Sequence, residues 1–370
     1  MPALPARTSR PREFWNRLSE GMELNQLWGE FRRDARSSYR FYSHDMAAEE
    51  AAGVPRWQRF VHHARQFFWA VMMKLTPARR VVLLVALVLL IIPQGNIQTR
   101  GTYIQWGGAP YFAGLMLLAV LLLEVSDRVL MKRDLEIARD IQQWLVPRGT
   151  PQIPALDIAF TTRPQNTVAG DYYDLLPLQG GTLLIIADVA GKSIPAALLM
   201  ATLQASVRTL APHTDSLHSL VCGVNRYTCE NNRGGSRFTT AFFAAWDPGT
   251  RCLSYVNAGH NYPVLLRAGG AVERLEAGGI PLGILPDANY DCASATLNPG
   301  DVLFVFTDGV VEAVNEREEE YGEERLLPLL AAVRGDSAGG IVQRVMGGID
   351  AFAAGARQHD DITCLAARVL

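Results

Sequence analysis

The chain has 370 residues, enough for about two domains, and its 35 Lys and Arg against 37 Asp and Glu leave a net charge of −2. The charges are segregated: positions 1–133 hold 18 basic and 10 acidic residues, a net of +8, whereas positions 134–370 hold 17 and 27, a net of −10. An acidic globular part repels phosphate backbones, which excludes nucleic acid as a partner. Five scattered cysteines without a Cys-x-x-Cys pair exclude a zinc or disulfide framework and fit a reducing compartment.

Residues 1–75 form a basic, aromatic-rich region in which Trp15, Leu18, Met22, Leu27 and Phe31 recur at roughly helical spacing, predicting a short amphipathic helix. Two apolar runs follow, Val81–Ile92 behind Arg79 and Arg80, and Ala109–Val125 ahead of Arg128, Lys132 and Arg133. A bilayer crossing takes about 20 apolar residues. The second run nearly reaches that; the first must borrow Pro93–Gln98 or lie tilted, a buried core helix being its alternative. Basic outer flanks predict a transmembrane hairpin over 78–126 with both termini cytoplasmic and an outer loop near Pro93–Gly108. An apolar run beginning some 80 residues in is not a secretory signal.

Segment 127–147 continues as helix to Pro147. Leu123, Leu130, Ile137 and Trp144 are seven apart, with Ile141 and Leu145 thickening the stripe, which is the pattern of a short coiled-coil seam. It predicts a linker through which two chains form a homodimer, with packing on its own domain as the alternative.

From 150 to 370 apolar strands alternate with helical stretches. Strands are expected at 182–188, 239–246, 252–258, 263–268, 301–308 and 361–369, and helices at 194–210, 216–227, 323–333 and 338–353. Several strands follow one another through "DPGT", "AGHNYP" and "AGGA" turns without a helix between them. That predicts antiparallel sheets with helices packed outside, an α+β layered domain.

"IADVAGKS" (186–193) ends like a phosphate-binding P-loop, but the motif's first glycine falls on Ile186, and without that turn the backbone amides cannot wrap a triphosphate. What remains is Asp188 at a strand end. The same picture recurs at Asp171 and Asp174 in "VAGDYYD", at Asp308 in "LFVFTDG", and at Asp360 and Asp361 in "HDDIT". Carboxylates brought together repel unless protonated or bound to cations. Oxygen ligands select Mg²⁺ or Mn²⁺, and two such ions bind a phosphoryl group and generate hydroxide from water. The chemistry expected is metal-assisted phosphate hydrolysis.

"VAGDYYD", "IADVAGKSIPAALLMA", "YVNAGHNYPVLL", "GGIPLGI", "LFVFTDGVVEA" and "DDIT" stand in the order seen in SpoIIE/RsbU-type serine/threonine phosphatases, the bacterial branch of the metal-dependent PPM (protein phosphatase 2C-like) family, which the chain resembles over about 135–370. The resemblance implies an α-β-β-α sandwich with two or more Mn²⁺ or Mg²⁺ ions between its sheets. It implies Asp171 and Asp188 as shared ligands with the Val189 carbonyl, and Asp308 and Asp360 on the other metal side. Gly170 and Gly309 then permit close backbone approach, Asp361 supports the ligands or holds an extra metal, and Asp174 is structural. Many eukaryotic relatives have a proton-donating histidine where this chain has Ala190. His260 is the nearest substitute, with a turn-locking bond as its alternative role; Arg163 is the candidate for phosphate binding, with an ordinary surface arginine as its alternative. Lys192 and Ser193 start the following helix, Ser193 as N-cap. The implied substrate is a phosphorylated anti-anti-sigma (STAS-domain) protein or similar regulator, and the implied place is the bacterial cytoplasmic membrane, with the catalytic domain (150–370) in the cytoplasm. An inactive phosphatase-fold scaffold and a hydrolase of small phosphate esters are the alternatives.

Overall fold

The computed structural model of the protein describes residues 56–370 apart from 93–94, 100–101, 107, 148, 150–151, 179 and 232–236. The amphipathic helix expected around Trp15–Phe31 lies outside the described residues. The chain divides into two units at Arg128/Val129.

In the first unit, helix α1 (Arg56–Lys74) is followed by α2 (Pro77–Ile91). Pro77 opens α2, where its fixed φ suits the first turn and its missing N–H costs nothing. The 15 residues of α2 span about 22 Å at 1.5 Å per residue, less than the ~30 Å hydrocarbon layer. The connection from α2 to the next helix carries a hairpin, β1 (Gly95–Thr99) with β2 (Thr102–Trp106), where the sequence predicts a plain loop. Helix α3 (Ala109–Leu145) then runs 37 residues without a break, so the second apolar run and the linker are one helix, long and apolar enough to cross a membrane. Arg79 joins α2 to α3 through Glu124 at 3.1 Å and Asp127 at 2.7 Å.

The second unit is an α-β-β-α sandwich. One sheet has the order β10-β7-β6-β5-β4, with β11 on β7: β4 (Tyr172–Leu178), β5 (Gly181–Val189), β6 (Thr239–Asp247), β7 (Cys252–Ala258), β10 (Gly278–Gly279) and β11 (Ala293–Thr296). The other has the order β3-β13-β12-β8-β9: β3 (Leu156–Arg163), β8 (Val264–Leu266), β9 (Val272–Arg274), β12 (Val302–Phe306) and β13 (Ile362–Val369). All pairings are antiparallel except β10 with β7. Helices α4 (Ser193–Leu210) and α5 (Leu217–Asn231) cover the first sheet; α6 (Glu323–Val333) and α7 (Ala338–Ala353) cover the second. Helix α4 is also long and apolar enough for a bilayer, yet its Ala196, Met200, Leu203 and Val207 are buried in the core, so it is an internal helix.

Alternation along the strands sorts the core into three layers. On β5, Leu183, Ile185 and Ala187 face the helices, while Leu184 and Ile186 face the opposite sheet. On β12 and β13, Leu303, Val305, Leu365 and Ala367 face inward, and Phe304, Phe306, Cys364 and Ala366 face α6 and α7.

Candidate metal centre

Extending that parity beyond the apolar layer locates the site. Asp188 follows Leu184 and Ile186 on β5, and Asp171 shares the parity of Tyr173 and Leu175 on β4. Thr307 follows Leu303 and Val305, and Asp361 and Thr363 precede Leu365. Because β4 pairs antiparallel with β5, and β12 with β13, the start of one strand meets the end of its neighbour. All of these polar residues therefore lie at one end of the inter-sheet layer.

Hydrogen bonds join the sheets there. Thr307 Oγ1 donates to Asp171 Oδ2 at 3.0 Å, and Thr363 N donates to Thr307 Oγ1 at 3.0 Å. Asp361 accepts from Gln165 N and Gly170 N, both at 2.6 Å, so both its oxygens staple the loop leading into Asp171. A Cβ on Gly170 would lie 3.3 Å from the Val189 carbonyl, and one on Gly309 would lie 2.0 Å from the Asp361 carbonyl. The second contact excludes any side chain at Gly309, and the first leaves little room for one at Gly170.

The electrostatics are those of crowded anions. Burial, followed by the charge of Asp188, pushes Asp171 well above the carboxylate range. Burial, then Asp308 and Asp360, pushes Asp188 up to about 7. Asp308 is raised by burial and Asp360 and is tempered by Lys192; Glu312 is raised by burial and then Asp308. Among the described residues no three carboxylate, imidazole or thiolate groups form a ready-made metal cage. The donor set itself, carboxylates with a backbone carbonyl, is the hard oxygen chemistry that suits Mn²⁺ or Mg²⁺, and a divalent cation relieves the mutual repulsion. The residues fit such ions.

The remaining candidates separate. Asp174 is fully buried and takes a two-point ion pair from Arg208 at 2.8 and 3.0 Å, a hydrogen bond from the Tyr172 hydroxyl and another from Leu175 N. That is a structural role. His260 is buried, with its ring Nδ1 3.0 Å from Thr240 Oγ1 and its backbone bonded to the Asn257 side chain. Burial lowers its pKa to about 4, and its bonds to Asn257 hold the turn after β7. Arg163 is tied to Asp350 at 2.5 Å, with its Nε buried and without an acceptor among the described residues. Ser193 does not cap α4: Lys192 holds the N-cap position, and Ser193 is the first helical residue with φ +64°.

Sequence reasoning passed over Thr307 and Gln142. The first sits beside the aspartate of "FTDG", a signal available in the motif. Gln142, on α3, donates to Ala169 O at 2.7 Å and accepts from Ala169 N at 3.0 Å; nothing local in the sequence marks it.

A family model described as Stage II sporulation protein E (SpoIIE) matches residues 179–370. The chain is 30% identical over 274 residues to Protein IcfG of Synechocystis sp., covering 66% of this chain and 42% of that protein. It is 34% identical over 187 residues to the phosphoserine phosphatase RsbU of Bacillus subtilis, covering 50% and 56%. The chain thus spans about half the length of the curated relatives it matches. Among solved structures, the SiaA-PP2C domain of Pseudomonas aeruginosa superposes with a TM-score of 0.60 at 19% identity, over 66% of this chain and 99% of that one. At that identity the likeness is one of fold.

Proposed function

The chain belongs to the SpoIIE family, and from that membership we propose that it is a metal-dependent protein phosphatase acting on phosphoserine or phosphothreonine in a bacterial signalling protein. One observation carries the reading: aspartates from both sheets converge at one end of an otherwise apolar layer, where burial and like charge raise Asp171, Asp188 and Asp308. Such crowding is costly without cations and useful with them.

Asp171 and Asp188, with the Val189 carbonyl, hold one side of the metal centre; Asp308 and Asp360 hold the other. Divalent ions held there supply positive charge for the phosphoryl oxygens and make water acidic enough to attack phosphorus at neutral pH. Thr307 holds one oxygen of Asp171 in place. Asp361 holds Gly170 and its loop in place, and Gly309 lets the turn of Asp308 lie against the start of β13. The direct analogy to the phosphoserine phosphatase RsbU supports a phosphoserine substrate, on an anti-anti-sigma, STAS-like partner. The apolar segments α2 and α3 anchor the chain in the cytoplasmic membrane as a hairpin with the catalytic part in the cytoplasm, and the end of α3 pairs two chains.

The test is hydrolysis of p-nitrophenyl phosphate and of a phosphoserine peptide by the purified full chain across a Mn²⁺ titration. Activity is expected only with the metal. Asp308→Asn is expected to lower kcat by on the order of 100-fold or more, above what loss of an outer-shell partner brings, with the thermal transition retained. A folded chain that hydrolyses neither substrate at any Mn²⁺ concentration sinks the reading.

A further inference from the structure

A cavity of about 390 Å³ opens beside the carboxylates, within the usual range for ligand sites. Arg163, Lys192 and Arg357 line it together with the carboxylates Glu312, Asp350 and Asp360. That balance of charge is unusual for this domain. Positions 134–370 are net negative with 17 basic residues, and three of those 17 line this one cavity; Lys192 is the only lysine after Lys132.

The three cations stand in different states. Arg163 is neutralised by Asp350. Arg357 is exposed and makes no hydrogen bond or ion pair among the described residues. Lys192 reaches from the first sheet to the loop before β13, its Nζ 2.6 Å from the His359 carbonyl and 3.0 Å from Asp360 Oδ2. The turn that presents it is strained, with Gly191 at φ +122° and Ser193 at φ +64° on either side. A non-glycine residue held there costs about 1–3 kcal/mol, and such strain gathers at functional sites. Asp360 is also a proposed metal ligand, and an oxygen engaged with a divalent cation no longer neutralises the ammonium. Lys192 then keeps Asp308 and Glu312 as its charged neighbours at the edge of the cavity, next to the proposed phosphate site.

We propose that this cavity receives the phosphorylated segment of the substrate, with Lys192 contacting the phosphoryl oxygens and Arg357 adding positive charge along the bound peptide. The inference rests on the phosphatase reading of the same site. It answers what supplies the phosphate-binding cation in a chain whose Arg163 is already paired: the lysine of the turn after β5.

A fluorescein-labelled peptide carrying phosphonomethylalanine in place of phosphoserine cannot be hydrolysed, because its C–P bond persists, and its binding to the full chain in Mn²⁺ is read by anisotropy. Lys192→Gln is expected to weaken binding about tenfold, which is about 1.4 kcal/mol, and Arg357→Gln about threefold. Lys192→Arg keeps the charge and is expected to stay within about threefold of wild type, which separates loss of charge from loss of fold. Arg344→Gln, on the exposed face of α7 away from the cavity, is the control and is expected to bind as wild type. Calorimetric Mn²⁺ affinity is expected to be equal or higher in Lys192→Gln, because Asp360 is released. Peptide binding indifferent to Lys192 overturns the proposal, as does a fall in Mn²⁺ affinity that accounts for the peptide loss. Lys192-dependent binding by a chain that hydrolyses no phosphoserine peptide upholds the cavity and removes the phosphatase reading. Hydrolysis with Lys192-independent binding does the reverse.

Discussion

Asp171 is held by a hydrogen bond from the other sheet. Thr307 Oγ1 lies 3.0 Å from its Oδ2, both groups are buried, and the threonine itself is anchored by Thr363 N. Thr307→Val keeps the shape and deletes the donor, so the Asp171 carboxylate loses its fixed rotamer and one buried partner. The expected cost is about 1–2 kcal/mol of stability, and the Mn²⁺ affinity read by calorimetry is expected to fall about tenfold, the usual effect of losing an outer-shell partner. Unchanged affinity would show that Asp171 is positioned by its backbone alone. Ser193 gives a second prediction. Its φ of +64° costs an L-residue about 1–2 kcal/mol, while glycine relieves the strain at an entropic cost of about 0.5–1 kcal/mol. Ser193→Gly is therefore expected to be neutral or stabilising by up to about 1 kcal/mol in urea unfolding, and Ser193→Val destabilising, because a β-branched residue fits that region worst. If both variants unfold at the wild-type midpoint, the turn is not strained.

The last turns of α3 are fastened to the two segments that carry the first pair of aspartates. Gln142 grips both the N–H and the carbonyl of Ala169, two residues before Asp171. The carbonyl of Leu145 accepts at 3.1 Å from Gln204 on α4, the helix that follows Asp188. Gln142→Ala deletes two hydrogen bonds and leaves the Ala169 groups to water. Hydrogen exchange of amides 165–171 is expected to speed up about tenfold, and kcat to fall with it, while the exchange of β12 and β13 stays as in wild type. A loop that exchanges at the wild-type rate would mean that Asp361, through Gln165 and Gly170, holds it unaided. The contrast between Gln142 and Asp188 also shows what was legible in the sequence. Strands β5, β6, β12 and β13 are largely apolar runs with Asp or a turn at one end, so their aspartates could be read off directly. Strand β4 hid behind "GDYYD", because Asp174 is tolerated in its interior only through Arg208, 34 residues away. Strand β3, with its half-buried polar face, and the two- to four-residue strands β9, β10 and β11 carry too little pattern to stand out. Thr307, Gln142 and Lys192 act through partners 136, 27 and 167 residues distant, and a spacing of that length leaves no local trace. Lys192 accordingly read as the start of a helix, when its ammonium reaches the opposite sheet.

For the whole molecule, helix α3 poses one question that separates its two halves. Leu123 and the apolar residues before it belong to a stretch long and apolar enough to cross a membrane, and in the proposed membrane hairpin their exposure needs no protein partner. Past Arg128 the chain is polar again, yet Leu130, Ile137, Ile141 and Trp144 are 55, 49, 47 and 66% exposed. Leu130, Ile137 and Trp144 follow one another at seven-residue steps, the repeat by which two helices keep a common seam. A contiguous apolar stripe of this kind in water marks an interaction surface, and a second copy of the same helix satisfies it with the same residues. Ile137→Asp places a charge in the middle of that seam. It is expected to convert a dimer into a monomer, read by light scattering in detergent, and to leave the thermal transition of the sandwich in place because Ile137 is not part of its core. Leu118→Gln, at an exposed residue of the apolar half of α3, is expected to leave the dimer intact. Because α3 ends in the contacts of Gln142 and Leu145, the monomer is also expected to exchange amides 165–171 faster, as Gln142→Ala does. A chain that is monomeric before the substitution, or dimeric after it, places the seam against some other surface and removes the end of α3 as the proposed dimer contact.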